Sequence, residues 1–279
     1  MHMTTLSHKE KVYKSVINAL EEDIGSGDIT AKIIPINKTS KANLIIRNPS
    51  ILCGIDWFND SFTHLNKDIS ILWCKQEGEK LEVNDVVAQI NGPTREILTG
   101  ERTALNFLQF MSGIAYKTSI YKEIINNTSI SIMDTRKTIP NLRYEQKYAV
   151  KCGGGKNHRI GLFDAVLIKE NHIQAAGSIK EAINTFKMNK INSIEVEVQN
   201  ITELKEAIHF QADIVMLDNF SIDDIKEAIK INNNRVLLEV SGNIDLNKIN
   251  ELITLDIDYI STGDLTKNVD AADYSLLIE

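Results

Sequence analysis

The chain has 279 residues, of which 43% are hydrophobic and 25% charged, and its formal net charge is −7. These values are ordinary for a soluble globular protein that is long enough to bury a substantial core. The acidity, without a stripe of basic and aromatic residues, argues against nucleic acid as a partner, and no apolar run approaches the ~18 residues needed to cross a membrane.

Two further features bear on location. The N-terminal sequence MHMTTLSHKEKVYK has no apolar stretch behind its charges, so we do not expect a secretory signal. The three cysteines, Cys53, Cys74 and Cys152, are odd in number and lack the spacing of metal ligands. Such cysteine usage suits a reducing cytoplasm and argues against a disulfide framework.

The first part of the chain mixes helical and strand patterns. The segment KVYKSVINALEED predicts an opening helix, and residues 57–65 predict a second. Strand-like segments lie around the second helix: ANLIIRN, ILCGI, ISILWCK and VVAQING. This part of the chain is therefore expected to form an α+β domain.

One segment of this part, GEKLEVNDVVAQINGP, resembles the strand–turn–strand pattern of biotinyl- and lipoyl-carrier domains. A carrier domain presents a modifiable lysine at a hairpin tip between small or apolar neighbours. The nearby Lys80 lies inside EGEKLEV instead. The scaffold is therefore similar, but a non-catalytic carrier or binding function is disfavoured.

After a long helical stretch at about residues 100–127, strands and helices alternate. Apolar strand patterns occur at residues 131–134, 165–169, 193–198, 213–217, 235–240 and 258–261. Helical patterns lie between most of them, at residues 178–188, 201–210, 221–230 and 246–255. This alternation predicts a parallel sheet with right-handed crossovers, and about six strands rather than eight favour an irregular or incomplete α/β barrel.

A basic segment follows the first of these strands. Residues 135–163 contain seven Lys or Arg residues and a single carboxylate, Glu145. The candidate anion-binding residues in and beside it are Arg136, Lys137, His158, Arg159 and Lys169. Guanidinium groups bind carboxylate or phosphate in a bidentate way, so we expect a small, multiply charged anion here. A solvated basic face is the alternative, although Pro140 and the glycines at 153–155 interrupt a regular helical face.

Carboxylates follow the next strands. Glu195 and Glu197 share one face of their strand, because side chains alternate with a period of two, and Asp218 ends the following strand. Buried carboxylates need a partner, and Mg²⁺ takes one or two of them together with substrate phosphates. We expect metal or sugar-hydroxyl binding here; the alternative is that the carboxylates merely pair with the basic residues opposite.

The last two strands end in small polar residues, at Ser241-Gly242-Asn243 and Ser261-Thr262-Gly263. In barrels the phosphate site commonly lies after these strands, where backbone N–H groups face the anion. The paired position of the two tripeptides predicts a phosphate site.

Arg102 departs from the usual pattern of helix charges. Thr99 is interpreted as an N-cap, which would place Arg102 in the first helical turn, where the helix dipole disfavours a cation. The alternative is a structural one, in which the neighbouring Glu101 neutralises Arg102.

Taken together, a set of motifs closely resembles the quinolinate phosphoribosyltransferases: GERTALNFLQFMSGIA, DTRKTIPNLRYEQKYAVKCGGGKNHRIGLFDAVLIKENHI, IEVEVQN, DIVMLDNF, LLEVSGNI and YISTGDLTKN. The similarity runs from EEDIGSGDIT to the C-terminus. The resemblance implies an N-terminal α/β sandwich over residues 1–112, an irregular or incomplete α/β barrel over residues 113–265, and a tail, 266–279, that packs back on the first domain. It also implies a head-to-tail homodimer with shared active sites.

The resemblance implies an activity as well. The phosphoribosyl group of 5-phosphoribosyl 1-pyrophosphate would be transferred to quinolinate with decarboxylation, giving nicotinate mononucleotide, pyrophosphate and CO₂ in NAD biosynthesis. The implied cofactor is Mg²⁺, which would lie on the leaving pyrophosphate.

Roles for individual residues are implied in the same way. The residues that would face quinolinate are Arg102 from the neighbouring subunit, Arg136, His158, Arg159 and Lys169. Those that would bind phosphoribosyl pyrophosphate are Lys137, Glu197, Asp218, Ser241, Gly242, Asn243, Ser261, Gly263 and Lys267. Metal binding would fall on Glu197 and Asp218, and catalytic roles on Lys137, Lys169, Glu197 and Asp218.

One residue departs from the family pattern. The family often has a histidine four residues after its last glycine, in G-x-L-T-H, whereas this chain has Gly263-Asp-Leu-Thr-Lys267. Lysine can contact phosphate as a point charge, so this one contact is left open.

Two rival enzymes remain. A Schiff-base aldolase or lyase is possible in principle because Lys169 ends a barrel strand, but that chemistry needs a desolvated lysine with a lowered pKa. A family relative that acts on another base is the second rival, and no residue pattern separates it.

Overall fold

The structure, a computed structural model, describes residues 6–189 and 193–279. They form two compact units. The first comprises Met1–Lys117, Tyr144–Gly153 and Val269–Glu279, as far as these ranges are described, and the second Thr118–Arg143 and Gly154–Asn268. Both units are therefore assembled from separate stretches of the chain.

The helices of the described ranges are α1 (His8–Ile24), α2 (Ile55–Thr63), α3 (Thr94–Ile124), α4 (Arg143–Cys152), α5 (Glu170–Ala176), α6 (Ile179–Met188), α7 (Ile201–His209), α8 (Ile222–Asn232), α9 (Leu246–Leu252) and α10 (Asp264–Lys267). A short 3₁₀ helix lies at Thr30–Ile33. No helix among the described residues is both long enough and apolar enough to span a membrane.

The strands of the described ranges are β1 (Thr39–Ile46), β2 (Ser50–Ile51), β3 (Ser70–Trp73), β4 (Lys80–Leu81), β5 (Val86–Pro93), β6 (Ser131–Met133), β7 (Val166–Ile168), β8 (Ile194–Val198), β9 (Ile214–Asp218), β10 (Leu237–Ser241), β11 (Tyr259–Ser261) and β12 (Tyr274–Ile278).

The first unit is built on an antiparallel four-stranded sheet in the order β12-β1-β5-β3. Its core includes Leu44 and Ile90 from the sheet, Phe58 and Phe62 from α2, and Leu105 from α3, all almost completely buried. The C-terminal strand β12 pairs along β1, with Leu44 opposite Leu276. This unit is therefore a sheet covered by helices, as expected for an α/β sandwich.

The second unit is built on a parallel six-stranded sheet in the order β6-β11-β10-β9-β8-β7. Consecutive strands from β7 to β11 are neighbours, as a series of β–α units requires. No ladder joins β6 to β7 within the ranges that the structure describes; a single parallel bridge links Met133 to Lys156 instead. The predicted α/β class with an incomplete barrel is confirmed.

Four helices of this unit are preceded by N-cap residues of the types that cap helices most strongly. The side-chain oxygen of each cap accepts a backbone N–H bond from the first turn of α6, α7, α8 or α9; the caps are Ser178, Asn200, Ser221 and Asp245. The sequence therefore fixes where each of these helices begins. The loops between the strand ends and these caps all lie at the carboxyl edge of the parallel sheet.

The start of α3 differs from the sequence prediction. The helix begins at Thr94, directly after β5, and the Thr94 hydroxyl bonds to the hydroxyl of Ser40 at 2.7 Å. Thr99 therefore lies inside the helix, where its hydroxyl donates to Asp28 at 2.9 Å, and it is not an N-cap. Gly100 does not mark a helix start. It is a close packing position inside α3, because a Cβ there would lie 2.9 Å from Leu65.

Candidate active site

A cavity of about 430 Å³ opens at the carboxyl ends of the parallel strands. Its lining combines cationic, anionic and small polar side chains; the lining residues are Thr135, Arg136, Lys137, His158, Arg159, Leu167, Lys169, Glu197, Met216, Asp218, Asn219, Ser241, Gly242, Asn243 and Ser261. The predicted strand-end residues are thus brought together in one place. This is the position at which α/β barrels generally carry their sites.

The basic side of the cavity contains two guanidinium groups, of Arg136 and Arg159, whose positive charges repel each other. Burial and the neighbouring charge of Arg136 lower the pKa of Arg159 below its usual value, with nearby carboxylates acting in the opposite direction. The Nε atom of Arg136 is buried and has no hydrogen-bond partner among the described residues. Two crowded guanidiniums with unused donor capacity favour an anionic ligand.

The loop that carries these cations is held by the end of β6. The backbone N–H of His158 donates to the carboxylate of Asp134 at 2.9 Å, and Asp134 is completely buried. Arg143 donates to the backbone carbonyl oxygens of Arg136 and Ile160, at 3.5 and 3.2 Å. These bonds fix the two basic segments relative to each other.

Only part of the basic segment reaches the cavity. Arg136, Lys137 and Arg159 line it, whereas Lys147 and Lys151 lie on α4, a ten-residue helix that belongs to the first unit. Pro140 and the glycines at 153–155 lie on either side of α4, so a regular helix forms between these interruptions. Three of the seven cations of the segment therefore line the cavity, and the full count of seven overstated the site.

The carboxylates of β8 both have cationic or imidazole partners. Glu197 lines the cavity and pairs with the ammonium group of Lys169, which follows β7. Glu195 is almost fully buried and lies 3.2 Å from Nε2 of His158. Asp218, at the end of β9, accepts a hydrogen bond from the Asn219 amide at 2.9 Å. Of the three, Glu197 and Asp218 face the cavity, as expected.

Glu239 is a buried acid that the sequence analysis did not assign to the site. It lies in the middle of β10, is 0% exposed, and approaches Nε2 of His158 to 3.5 Å. The available signal was the period-two pattern of LLEVS, because the side chain of Glu239 lies on the same face as that of Ser241, two residues later. A single carboxylate on the inner face of an apolar strand is the feature that would have identified it.

A second cavity, of about 200 Å³, adjoins the first, and the lining residues that the two share are Thr135, Lys137, Ser241, Gly242, Asn243 and Ser261. The other lining residues are Ile244, Asp245, Thr262, Gly263, Asp264, Lys267 and Asn268. The expected phosphate residues are therefore all present, and Lys267 lies with them.

Gly242 shows why small residues end these strands. Its φ is +106°, and a Cβ at this position would lie 2.8 Å from the backbone nitrogen of Asn219. Only glycine fits a left-handed turn pressed against the end of the neighbouring strand.

Arg102 lies in the first unit, on an exposed part of α3. Since α3 begins at Thr94, Arg102 is in the third turn rather than the first. The helix-dipole argument for its unusual position is therefore wrong, and its predicted role stands on the resemblance alone.

Comparison with known proteins gives the family. Residues 114–277 match the C-terminal domain of quinolinate phosphoribosyl transferase, and residues 28–112 match its N-terminal domain. The chain belongs to the quinolinate phosphoribosyltransferase family. Because the two matches together cover most of the chain, both units are accounted for by this family.

Several family members resemble the chain over nearly its full length. A probable nicotinate-nucleotide pyrophosphorylase (carboxylating) of Methanocaldococcus jannaschii is 41% identical, covering 96% of this chain and 97% of the relative. The corresponding protein of Bacillus subtilis is 37% identical, covering 91% and 89%. The solved structure of the nicotinate-nucleotide pyrophosphorylase from Francisella tularensis has a TM-score of 0.95 and 46% identity, covering 98% of both chains.

Membership of this family disfavours the aldolase alternative, and the structure agrees. The side chain of Lys169 is 42% exposed and is paired with Glu197. A Schiff-base lysine needs a desolvated environment that favours the neutral amine, and this position does not provide one.

Proposed function

We propose that this protein transfers the phosphoribosyl group of 5-phosphoribosyl 1-pyrophosphate to quinolinate, with loss of CO₂, to give nicotinate mononucleotide and pyrophosphate. Family membership supports the reaction. The observation in this structure that supports the reaction is the pair of neighbouring guanidinium groups of Arg136 and Arg159. The Nε of Arg136 is buried and has no hydrogen-bond partner among the described residues. A dianionic pyridine dicarboxylate matches that pair in charge.

Quinolinate would occupy the larger cavity. Its two carboxylates would be bound by Arg136 and Arg159, with the ammonium of Lys169 beside them. His158 would lie beneath the bound carboxylates. Its ring is held there by its contacts with the buried carboxylates of Glu195 and Glu239. A substrate with one carboxylate would leave cationic donors unpaired, at a cost of ~1–3 kcal/mol each.

Phosphoribosyl pyrophosphate would extend from the larger cavity into the smaller one. The 5′-phosphate would lie against Ser241, Gly242, Asn243, Ser261, Gly263 and Lys267, all of which line the smaller cavity. Lys137 lines both cavities, and its backbone carbonyl accepts a bond from Thr266 at 2.8 Å. The ribose would then lie near Asp218 and Glu197, where carboxylates can stabilise positive charge that develops at C1.

Mg²⁺ fits the oxygen donors at this position. Asp218 would hold it, because a carboxylate with waters and substrate phosphate oxygens is its usual ligand set. Glu197 is also predicted to bind the metal, but it pairs with Lys169 and would have to leave that contact. When bound, Mg²⁺ neutralises charge on the departing pyrophosphate.

The bond changes are balanced with the two substrates and one proton from solvent. The pyridine nitrogen of quinolinate attacks C1 of the ribose as the C1–O bond to pyrophosphate breaks. The bond from ring C2 to its carboxylate then breaks, CO₂ leaves, and the electron pair remains at C2 beside the quaternised nitrogen until C2 gains a proton. The protein's part is to hold the two substrates in line and to match their charges.

We further propose a homodimer in which Arg102 of one subunit reaches the quinolinate cavity of its partner. The exposed position of Arg102 on α3 supports this, because its guanidinium is accessible to a second subunit. A cytoplasmic location is proposed from the three free cysteines.

The activity is tested with purified full-length protein, phosphoribosyl pyrophosphate and Mg²⁺, by following pyrophosphate and CO₂ release with a panel of acceptors. Quinolinate should react with release of both products, whereas nicotinate, nicotinamide and orotate should react at least about tenfold less efficiently, as one lost charged contact predicts. Equal kcat/KM for quinolinate and nicotinate would show that the second carboxylate is not recognised and would overturn the proposal.

A further inference from the structure

A buried cluster of three titratable side chains lies beneath the larger cavity. Nε2 of His158 is 3.2 Å from an oxygen of Glu195 and 3.5 Å from an oxygen of Glu239. The exposed fractions of the three side chains are 9%, 8% and 0%. Two ionised carboxylates at this depth would repel each other, so the cluster needs a counter-charge.

The counter-charge could be a metal ion or a proton, and the hydrogen bonds of His158 decide between them. The backbone N–H of Arg159 donates to Nδ1 of His158 at 2.8 Å, so Nδ1 carries no proton. The proton of the ring must then lie on Nε2, which faces the carboxylates. A cation on Nε2 would leave the imidazole with no proton at all. The three atoms have the spacing of a metal site, but this hydrogen bond favours protons.

Among the residues that the structure describes, no Lys or Arg forms an ion pair with Glu239. The neighbouring strands place Met216 and Tyr259 in register with it, and Ser261 adds a buried hydroxyl from β11. The ammonium group of Lys156 lies over the ring of Tyr259, 5.8 Å from its centroid. Apart from the His158 contact, neither oxygen of Glu239 has a hydrogen-bond partner among the described residues.

We propose that Glu239 holds a proton in the resting protein and, together with Glu195 and His158, positions Arg159 for its anionic substrate. The contacts run from the two carboxyls through the His158 ring to the backbone of Arg159, whose guanidinium lines the cavity. Glu239 is a positioning residue, because it acts through His158. The inference rests on the proposed function, which supplies the dianionic ligand.

The consequence is a dependence of quinolinate binding on pH. Burial, followed by the charge of Glu195, raises the pKa of Glu239 to about 8, while His158 acts in the opposite direction. Below that pH the acid is neutral. As the pH rises through about 8, Glu239 ionises, the buried cluster gains a negative charge, and a dianion is repelled.

The test is calorimetric binding of quinolinate alone, without phosphoribosyl pyrophosphate, to the full chain at pH values on both sides of 8. For the wild type, Kd should increase by up to about tenfold for each pH unit above the pKa. Glu239→Gln imitates the protonated acid and should bind with a pH-independent Kd, whereas Glu239→Leu, which cannot accept from His158, should bind weakly at every pH. Glu227→Gln, on the exposed face of α8, is the matched control and should keep the wild-type slope.

A second measurement is independent of substrate. The carbonyl infrared band of a buried, protonated carboxyl should be present in the wild type, disappear as the pH passes about 8, and be missing from Glu239→Gln. A wild type without this band, or a glutamine variant that keeps the pH slope, would overturn the inference. Failure of the wild type to bind quinolinate with the band intact would instead overturn the proposed function. If Glu239→Gln does not fold, the titration of the wild-type band decides alone.

Discussion

Lys169, which follows β7, donates to the carboxylate of Glu197 on the neighbouring strand β8. Both side chains line the larger cavity, so the ammonium group is shared between this carboxylate and any anionic ligand. Removing Lys169 alone would leave Glu197 facing the carboxylates of quinolinate.

This pair makes a double-mutant prediction. Lys169→Ala should lower kcat/KM for quinolinate strongly, and adding Glu197→Gln should lower it by less than the sum of the two single effects. The side chain of Lys169 is 42% exposed, so solvent screening limits the expected coupling to ~1 kcal/mol. Steady-state kinetics of the four proteins measures this coupling, with Lys180→Ala, at an exposed position of α6, as the control. Strictly additive losses would mean that the pair does not matter in the substrate complex.

A metal prediction follows from the position of Asp218. Activity should be lost in EDTA and return with Mg²⁺. Asp218→Asn should raise KM for phosphoribosyl pyrophosphate by more than it raises the Kd of quinolinate, because the lost charge lies where the ribose and Mg²⁺ are proposed to bind. Asp223→Asn, whose side chain is 96% exposed on α8, should change neither value. Full activity in the chelator would remove the metal from the mechanism.

Lys267 allows a test of the family departure. Lys267→Ala should raise KM for phosphoribosyl pyrophosphate about tenfold, the effect of one lost charged contact with phosphate. Lys267→His should restore the contact only at low pH, because a histidine side chain titrates near ~6.5. The measurement is KM across that range, where the wild type should show no such step. An unchanged KM in the alanine variant would place Lys267 on the surface, without a role.

The proposed role of Arg102 is tested by mixing inactive homodimers. Arg102→Ala and Lys169→Ala should each be nearly inactive, and denaturation with joint reassembly should restore activity. In a random mixture about half of the dimers are hybrids with one intact site of two, so roughly a quarter of wild-type activity should return. No recovery, with hybrid dimers confirmed by native mass spectrometry, would place Arg102 in its own subunit's site or in no site.

The buried acid also predicts a pH dependence of stability. A carboxyl whose pKa is raised by folding stabilises the native state fully below its unfolded pKa of ~4.3, and this contribution is lost as the pH rises through about 8. Between these limits, the unfolding free energy of the wild type should fall relative to Glu239→Gln, by at most ~1.4 kcal/mol per pH unit. Denaturant titrations of both proteins at several pH values measure the difference. A constant difference would mean that Glu239 is already ionised.

The sequence by itself determined the repeating part of this protein. Alternating apolar strands and capped helices are local patterns, and parallel β–α units place every strand end at the same edge of the sheet. Arg136, Lys169, Glu197 and Asp218 could therefore be assigned to one site without knowing any distance between them. The sequence motifs also identified the family.

Only the tertiary structure decided which side chains of these segments reach the site and what they touch. Thr94 rather than Thr99 begins α3, directly after β5, and its hydroxyl bonds to Ser40, which is distant in the sequence. Lys147 is drawn into the first unit with α4, although it lies within the basic segment. Glu239, His158 and Glu195 come from three separate parts of the chain and meet in one buried cluster, where burial raises the pKa of Glu239. Helix starts and strand ends follow from neighbours in the sequence, whereas charge and protonation depend on neighbours in space.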